Sequence, residues 1–265
     1  VRLTGERPIE GATPDALLAL HDAGYREVVT RLGSGRVLDV GCGIGDETRR
    51  LLGPDRQVFG VDYDPATAAA ARRHTGGAVN TAAMDGGHLG FADRSFRWVC
   101  SSHIIEHFTL PERHVAELAR VCTDDGTVFV ITPNRPADFE NPFHVHLFEA
   151  PQLASLLRLF FTEVEVHGIE GDELLHADFA TRRARGQRLL ALDALGLRHR
   201  LPRRAYVWGY ERVLPLVYRL IGSAAGVGSG IDASHLYLTH EITPATPALF
   251  ALARRPRPPV GPGEG

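Results

Sequence analysis

Lysine is missing altogether: the 29 basic side chains are all arginine. Because a guanidinium stays protonated and cannot act as a nucleophile, Schiff-base catalysis, pyridoxal phosphate attachment and a Walker-type phosphate lysine are excluded. Cysteine is scarce. Cys42, Cys100 and Cys122 stand far apart, without the C-x-x-C spacing of zinc or redox sites, and read as small core residues. No apolar run reaches the length of a membrane span, and no basic stretch followed by an apolar one opens the chain. The sequence therefore predicts neither a transmembrane helix nor a signal peptide, and a cytoplasmic protein. A net charge of -3 speaks against a general polyanion binder, and no stripe of interleaved aromatic and basic residues points to nucleic acid. What remains is a chain of 265 residues, 44% of them apolar, enough for one good core or a core with an appended cap.

The most informative segment is Val37 to Asp46 (VLDVGCGIGD), an apolar strand running straight into Gly41, Gly43 and Gly45. Glycine brings bare backbone up to a ligand and permits the positive φ of a tight bend. A dinucleotide fingerprint, G-x-G-x-x-G, would place its third glycine at position 46, where Asp46 stands, while the glycine arrives early at Gly45. Asp39 and Asp46 set carboxylates at the mouth of the loop, where a pyrophosphate would be repelled and a cation welcomed. S-adenosylmethionine carries a sulfonium and an ammonium and no phosphate, so its charge suits such a loop. A second strand, Gln57 to Val61, ends in Asp62, about 20 residues beyond the first glycine, the separation at which an acid grips a ribose diol. The plainer alternative makes the glycines a mere turn and Asp62 a helix cap before Pro65.

Beyond the loop stand Val58 to Pro65 (VFGVDYDP), Ala83 to Asp85 (AMD), Leu89 to Phe96 (LGFADRSF), Trp98 to Cys100, and His103 to Phe108 (HIIEHF). Together with the glycine loop they resemble the class I S-adenosylmethionine-dependent methyltransferases, in particular the small-molecule branch, over about two thirds of the chain. Arg97 departs from the pattern, since the family usually has an acid after that phenylalanine. The resemblance implies S-adenosylmethionine as cofactor, bound by Asp39, Gly41, Gly43, Gly45, Asp62, Tyr63, Met84, Asp85 and Ser101. No N-P-P-[YF] amino-methylation motif follows the fourth strand.

The rest of the chain alternates. A helical stretch, Thr13 to Leu32, precedes short apolar strands at Arg36 to Val40, Gln57 to Val61, Ala78 to Ala82, Phe96 to Cys100 and Thr127 to Ile131. Helices are expected at Asp46 to Leu52, Pro65 to His74 and Pro111 to Cys122. This succession predicts an α/β fold, a doubly wound, mostly parallel, seven-stranded Rossmann-like sheet with ligands at the strands' carboxyl ends. Gly41, Asp62, Asp85 and Ser101 to His103 all fall at such ends. After the long loop Thr132 to Glu149, a helix at Pro151 to Phe160 and a sixth strand at Phe161 to His167 follow, and Ala248 to Ala253 reads as the seventh. The roughly eighty residues between the last two strands, where a hairpin needs only a few, read as a helical cap. The expected division is a cofactor-binding domain at 1–170, a cap at 171–245, the last strand at 246–255 and a disordered tail at 256–265. Within the cap, Arg182 to Arg204 holds eight arginines against Asp193, and Tyr206 to Ile221 follows as an apolar helix. These read as a solvated basic helix beside a core helix, or as a surface for an anionic or lipid-linked substrate or peripheral membrane contact.

Methyl transfer from a sulfonium asks mainly for alignment, and a hydroxyl acceptor also asks for a base, for which histidine is best tuned. His144 is the first candidate. It shares an extended segment with His146, spaced to point to the same side. His103, just past the fourth strand, is the second. Glu106 and His107 are adjacent, and neighbours on a helix diverge, so at most one of them is expected to face the site. Their spacing matches no recognised metal motif, and no metal is predicted. Arg2 to Arg7 (RLTGER) and Asn141 to His144 (NPFH) are similar to elements of actinobacterial methyltransferases associated with O-methylation of sugars. The expected activity is O-methylation of a small molecule, sugar or glycolipid. The alternatives are N-methylation of a small amine, a nicotinamide or flavin oxidoreductase on the same fold, and a non-catalytic sensor of the cofactor.

Overall fold

The computed structural model describes residues 13–138, 144–191 and 229–258. After α1 (Asp15–Val29) the chain forms β1 (Gly35–Val40), β2 (Arg56–Asp62), α2 (Pro65–His74), β3 (Asn80–Ala83), β4 (Phe96–Ser102), α3 (Pro111–Val121) and β5 (Cys122–Pro133). It continues through α4 (Ala150–Arg158), β6 (Phe161–Gly171), α5 (Glu173–Ala191), β7 (Leu236–Thr239) and β8 (Ala248–Pro256). The strands make one sheet in the order β3-β2-β1-β4-β5-β8-β6-β7. The first five strands are mutually parallel, whereas β8 runs antiparallel to both β5 and β6, and β7 antiparallel to β6.

The central strands are near-continuous apolar runs because both faces of the sheet are covered. Successive side chains alternate between two cores. Val37, Phe129, Ile131 and Phe250 pack with Ala16, Leu20 and Val28 of α1 on one face. On the other, Leu38, Val128, Val130 and Leu249 pack with Val115 and Leu118 of α3 and Leu153 and Leu157 of α4. Helix α2 starts where Pro65 supplies a pre-set φ and Asp64 accepts from the backbone N–H groups of Ala66 and Thr67, both at 3.2 Å. The cap is thus Asp64, and the plainer reading of Asp62 as that cap is corrected.

Two further expectations differ from the structure. The helix expected at Asp46 to Leu52 is a single 3-10 turn, Thr48–Leu51, because Gly53 and Pro54 follow at once and a residue before proline is driven out of the helical region. The sheet has eight strands among the described residues rather than seven. The extra one, β7, lies inside the stretch read as cap and pairs with the end of β6, from Gly168 opposite Thr239 to Gly171 opposite Leu236. Leu236, Ile231 and Ala233 join the core against α1, and the Gly230 N–H donates to Asp15 at 2.9 Å. The apolar helix expected at Tyr206 to Ile221, most of the arginine run, Arg2 to Arg7 and nearly all of the tail lie outside the described residues. No helix among the described residues is long and apolar enough to cross a membrane.

His114 stitches α3 to the strand ends that carry the site. It is fully buried, with Nδ1 2.8 Å from the Gly86 carbonyl and Nε2 2.8 Å from Ser101 Oγ, and its ring stacks on Phe108 at 4.5 Å. A carbonyl only accepts, so Nδ1 carries the proton and Nε2 accepts from the serine hydroxyl. Burial pushes the His114 pKa down to about 4. An unfolded chain takes up that proton near pH 6.5 and the folded chain does not until about 4, so this contribution to stability is present above pH 6.5 and lost as pH falls toward 4. Urea unfolding at pH 7 and pH 4.5 is expected to show His114→Gln less stable at pH 7, with the acid-induced loss smaller than wild type by about 2 kcal/mol. An unchanged acid slope would remove His114 as its source.

Candidate functional site

Four loops meet at the carboxyl ends of β1, β2, β3 and β4 and enclose a cavity of about 380 Å³, inside the roughly 300–1,000 Å³ range of small-molecule sites. The first loop holds the three glycines, each with positive φ and each for a different reason. The Gly41 and Cys42 N–H groups both donate to Val61 O, at 2.8 and 2.9 Å, and a Cβ on Gly41 would stand 2.5 Å from Ile104 Cγ2. Gly45 packs against α2, where a Cβ would meet Thr75 Cγ2 at 2.9 Å. Gly43 differs: a Cβ there would meet nothing within 4 Å, and the residue lines the cavity.

Asp62, Tyr63, Met84 and Asp85 line the same cavity with Gly41 and Gly43. Asp62 is 5% exposed and Tyr63 66% exposed. One Asp62 oxygen accepts from the Asp64 N–H at 3.0 Å, and Asp85 accepts from the Gly87 N–H at 2.8 Å. Asp46 and Glu47 also line the cavity, and burial raises the Glu47 pKa.

Three of the sequence-derived cofactor residues do not line the cavity. Gly45 faces α2. Ser101 is turned toward α3 and bound by His114, and its neighbour Ser102 takes the cavity side because adjacent strand residues face opposite ways. Asp39 lies behind the wall, fully buried. It accepts from Tyr25 Oη at 3.0 and 3.2 Å and from Thr48 Oγ1 at 2.5 Å, and burial pushes its pKa up to about 6.

The far end of the cavity is built of histidine. His103 lines it with a backbone φ of 54°, a left-handed conformation uncommon outside glycine and frequent at functional sites. Its N–H donates to Ile131 O at 2.8 Å, and its buried Nε2 has no hydrogen-bond partner. Its ring lies 4.0 Å from that of His21. Burial holds His103 well below the usual histidine range, with the neighbouring imidazoles of His21, His144 and His107 adding to the shift. Burial alone takes His21 to about 4. His21 has no sequence signal, since it stands among the apolar residues of α1 and comes to the site only when the helix docks.

His144 is placed one ring behind the wall. Its Nδ1 is 2.9 Å from Asp138 Oδ2, and its ring is 5.3 Å from that of His107, which lines the cavity. His146 has its own partner, Nε2 donating to Thr109 O at 3.0 Å. Asn141 to Phe143 lie outside the described residues. The loop is drawn in by Glu106, whose carbonyl accepts from the Val145 and His146 N–H groups at 2.7 and 3.0 Å. The Glu106 side chain is buried, with Oε2 accepting from Thr132 Oγ1 at 3.0 Å and Oε1 without a hydrogen-bond partner; burial raises its pKa. Of Glu106 and His107 only His107 lines the cavity, in keeping with the expectation that at most one of them would face it. They sit on a 3-10 turn, Ile105–His107, and with His144 bring one ligand atom each to within 4.8 Å of one another.

Residues 38–130 match the family described as a methyltransferase domain. The chain is 33% identical over 170 residues to a protein of Mycolicibacterium smegmatis described as a probable S-adenosylmethionine-dependent methyltransferase, covering 62% of this chain and 66% of that one. It is 28% identical over 145 residues to the demethylmenaquinone methyltransferase of Tropheryma whipplei strain Twist, covering 52% and 61%. These matches span less than two thirds of those relatives' own lengths. Among solved structures, one from Thermotoga maritima described as a methyltransferase, possible histamine N-methyltransferase, superposes with a TM-score of 0.58 at 15% identity over 90% of this chain and 91% of that one. At that identity the likeness is one of fold.

The glycines separate fold from ligand. Gly41→Ala forces a methyl into Ile104 as well as an unfavourable φ, and is expected to cost about 2–4 kcal/mol. Gly43→Ala bears only the φ penalty, about 1–2 kcal/mol. Thermal and urea unfolding of the two variants check this. Equal losses would mean that the Ile104 contact is not limiting.

Proposed function

We propose that the chain is a class I S-adenosylmethionine-dependent methyltransferase, a reading supported by the methyltransferase-domain match and by the similar mycobacterial protein, and that it methylates a small-molecule or sugar hydroxyl. The observation that carries the choice of a hydroxyl is His103, a largely buried imidazole on the cavity wall whose Nε2 has no partner. When bound, the cofactor supplies a methyl group on a sulfonium. The cavity fits it by chemistry. Gly43 leaves space that a Cβ would fill, the Asp62 carboxylate stands nearly buried at the end of β2, and Asp46, Glu47 and Asp85 surround the cavity with acids and no opposing lysine or arginine among its lining residues.

In this reading Asp62 grips the ribose diol, Gly41 and Gly43 let the backbone approach, and Met84 and Asp85 flank the adenine with Tyr63 beside them. Asp39, Gly45 and Ser101 act from behind the wall, holding the loops that make the contacts. His103, kept neutral by burial, would take the acceptor's hydroxyl proton on Nε2, so that the acceptor oxygen could receive the methyl group that the bound cofactor would supply. His144 orients His107 rather than meeting the acceptor. The segment 171–245 shapes the acceptor's side. Its described start supports this: Arg183 donates to the Pro136 and Ala137 carbonyls, at 3.0 and 2.9 Å, so α5 is fastened to the loop that carries His144. A glycolipid acceptor, with peripheral membrane contact through the arginines that follow, belongs to the same reading.

Calorimetry with S-adenosylmethionine is expected to show Asp62→Asn weakened by about 1–3 kcal/mol, roughly five- to 150-fold, with an unchanged melting temperature. Unaltered affinity would take Asp62 out of the site. Labelled cofactor with fractionated hydroxyl and amine metabolites, read by mass spectrometry for one added methyl, tests the acceptor. His103→Asn tolerates the left-handed backbone and is expected to lower kcat for a hydroxyl by about 10²–10⁴-fold while cofactor affinity holds. An amine methylated equally by wild type and variant would move the assignment to N-methylation, and cofactor binding without any methylated product would leave the sensor.

A further inference from the structure

We propose that Glu106, His107 and His144 bind a divalent transition-metal ion beside the methyl-transfer cavity, with Asp138 orienting His144. Each of the three residues offers a ligand atom, and these atoms lie within 4.8 Å of one another, the one group of its kind among the described residues. Side-chain rotation of about 1 Å per group closes that spacing around an ion held at roughly 2.0–2.2 Å.

The surroundings are those of a metal site rather than of a chance cluster. Glu106 is fully buried and one of its oxygens has no hydrogen-bond partner. The His103 imidazole leaves 3.7 Å between Nδ1 and that oxygen. A carboxylate so placed carries an uncompensated desolvation penalty that a cation removes. Asp138 is bonded to His144 through Nδ1 at 2.9 Å. An ionised carboxylate only accepts, so Nδ1 carries the proton and Nε2 presents its lone pair, the carboxylate–histidine arrangement that orients metal ligands. The assembly is also built in by the backbone: the Glu106 carbonyl that receives the Val145 and His146 N–H groups fixes His144 next to the turn bearing the other two ligands.

Two imidazoles and one carboxylate select first-row ions such as Mn²⁺, Fe²⁺, Co²⁺ or Zn²⁺ over Mg²⁺ and Ca²⁺, which prefer all-oxygen ligands. Three protein ligands leave coordination positions open, and His107 belongs to the cavity wall, so an open position faces the acceptor. The ion's role there, which rests on the methyl-transfer reading, is to take the acceptor oxygen as a ligand and polarise its O–H bond. Binding of the ion does not depend on that reading.

The test uses the full chain stripped with chelator and titrated with CoCl₂, read by visible absorption and by metal content after gel filtration. One equivalent of Co²⁺ is expected, with affinity lowered at least 100-fold in Glu106→Gln and in His144→Ala, and about 10–100-fold in Asp138→Asn. His240→Ala, on a histidine distant in sequence from the cluster, is expected to bind as wild type. Circular dichroism confirms that each variant is folded, and Asp138→Asn keeps the test open if the buried Glu106→Gln does not fold. Wild-type protein that binds no Co²⁺ at 100 μM, or binding that survives both Glu106→Gln and His144→Ala, overturns the proposal. Calorimetry with S-adenosylmethionine on the same metal-free samples keeps the two readings apart. Protein that binds the cofactor but takes up no Co²⁺ sinks the metal site alone, and protein that takes up Co²⁺ but binds no cofactor sinks the methyl-transfer reading alone.

Discussion

A carboxylate shut away from water holds the site together. Asp39 receives hydrogen bonds from the hydroxyls of Tyr25 and Thr48, so one side chain fastens β1 to α1 and to the turn that follows the glycine loop. Helix α1 brings His21 and Tyr25 into the cavity wall, and the turn follows Asp46 and Glu47 at the same cavity. Hydrogen bonds to a charged acceptor contribute about 1.5–3 kcal/mol each, which offsets part of a burial cost large enough to push the Asp39 pKa to about 6. Both donors are neutral. The negative charge is therefore solvated but not cancelled, and it adds to the field of Asp46, Glu47, Asp62 and Asp85 around a cavity suited to a cation.

The cavity has two chemical ends because different strand ends build each of them. At the β1 and β2 end, backbone without side chains and acids without bases leave room for a polar, positively charged ligand. At the β4 end, the chain turns abruptly through His103 in a left-handed conformation, and a 3-10 turn puts Glu106 and His107 next in line. Glu106 works through both of its polar parts. Its carbonyl reels in the loop after β5, and its side chain, bonded to Thr132, stands among imidazoles. The same residue that shapes the backbone thus concentrates the side chains that bear the chemistry.

Legibility along the chain followed the length and strength of the local signal. Apolar runs such as Val37 to Val40 and Thr127 to Ile131 are strands because both their faces are buried, and α2 runs from Pro65 to His74 as expected, since Asp64 and Pro65 start it by local chemistry. The sequence misplaced what depends on distant partners. Leu236 to Thr239 is four residues long and carries no alternation strong enough to mark a strand, and it exists because β6 offers an edge. Strand β4 runs on to Ser102, two residues beyond the apolar run, which is why Ser101 looked like a cavity residue and Ser102 is one. Of Glu106 and His107 only His107 lines the cavity, within the expectation that at most one would face the site, although the segment is a single 3-10 turn rather than a regular helix.

By itself the sequence determined the strand–glycine loop–strand unit, the acid at its far end, the parallel succession and the charge preference of the ligand, since each is written in residues a few positions apart or in periodicity along one element. Tertiary structure alone decided which of those residues reach the cavity, that His21 joins His103, and that Glu106, His107 and His144 converge. Those outcomes depend on how α1 and the loop after β5 pack against strand ends that are near in space and far along the chain, and no local pattern encodes a distance of that kind.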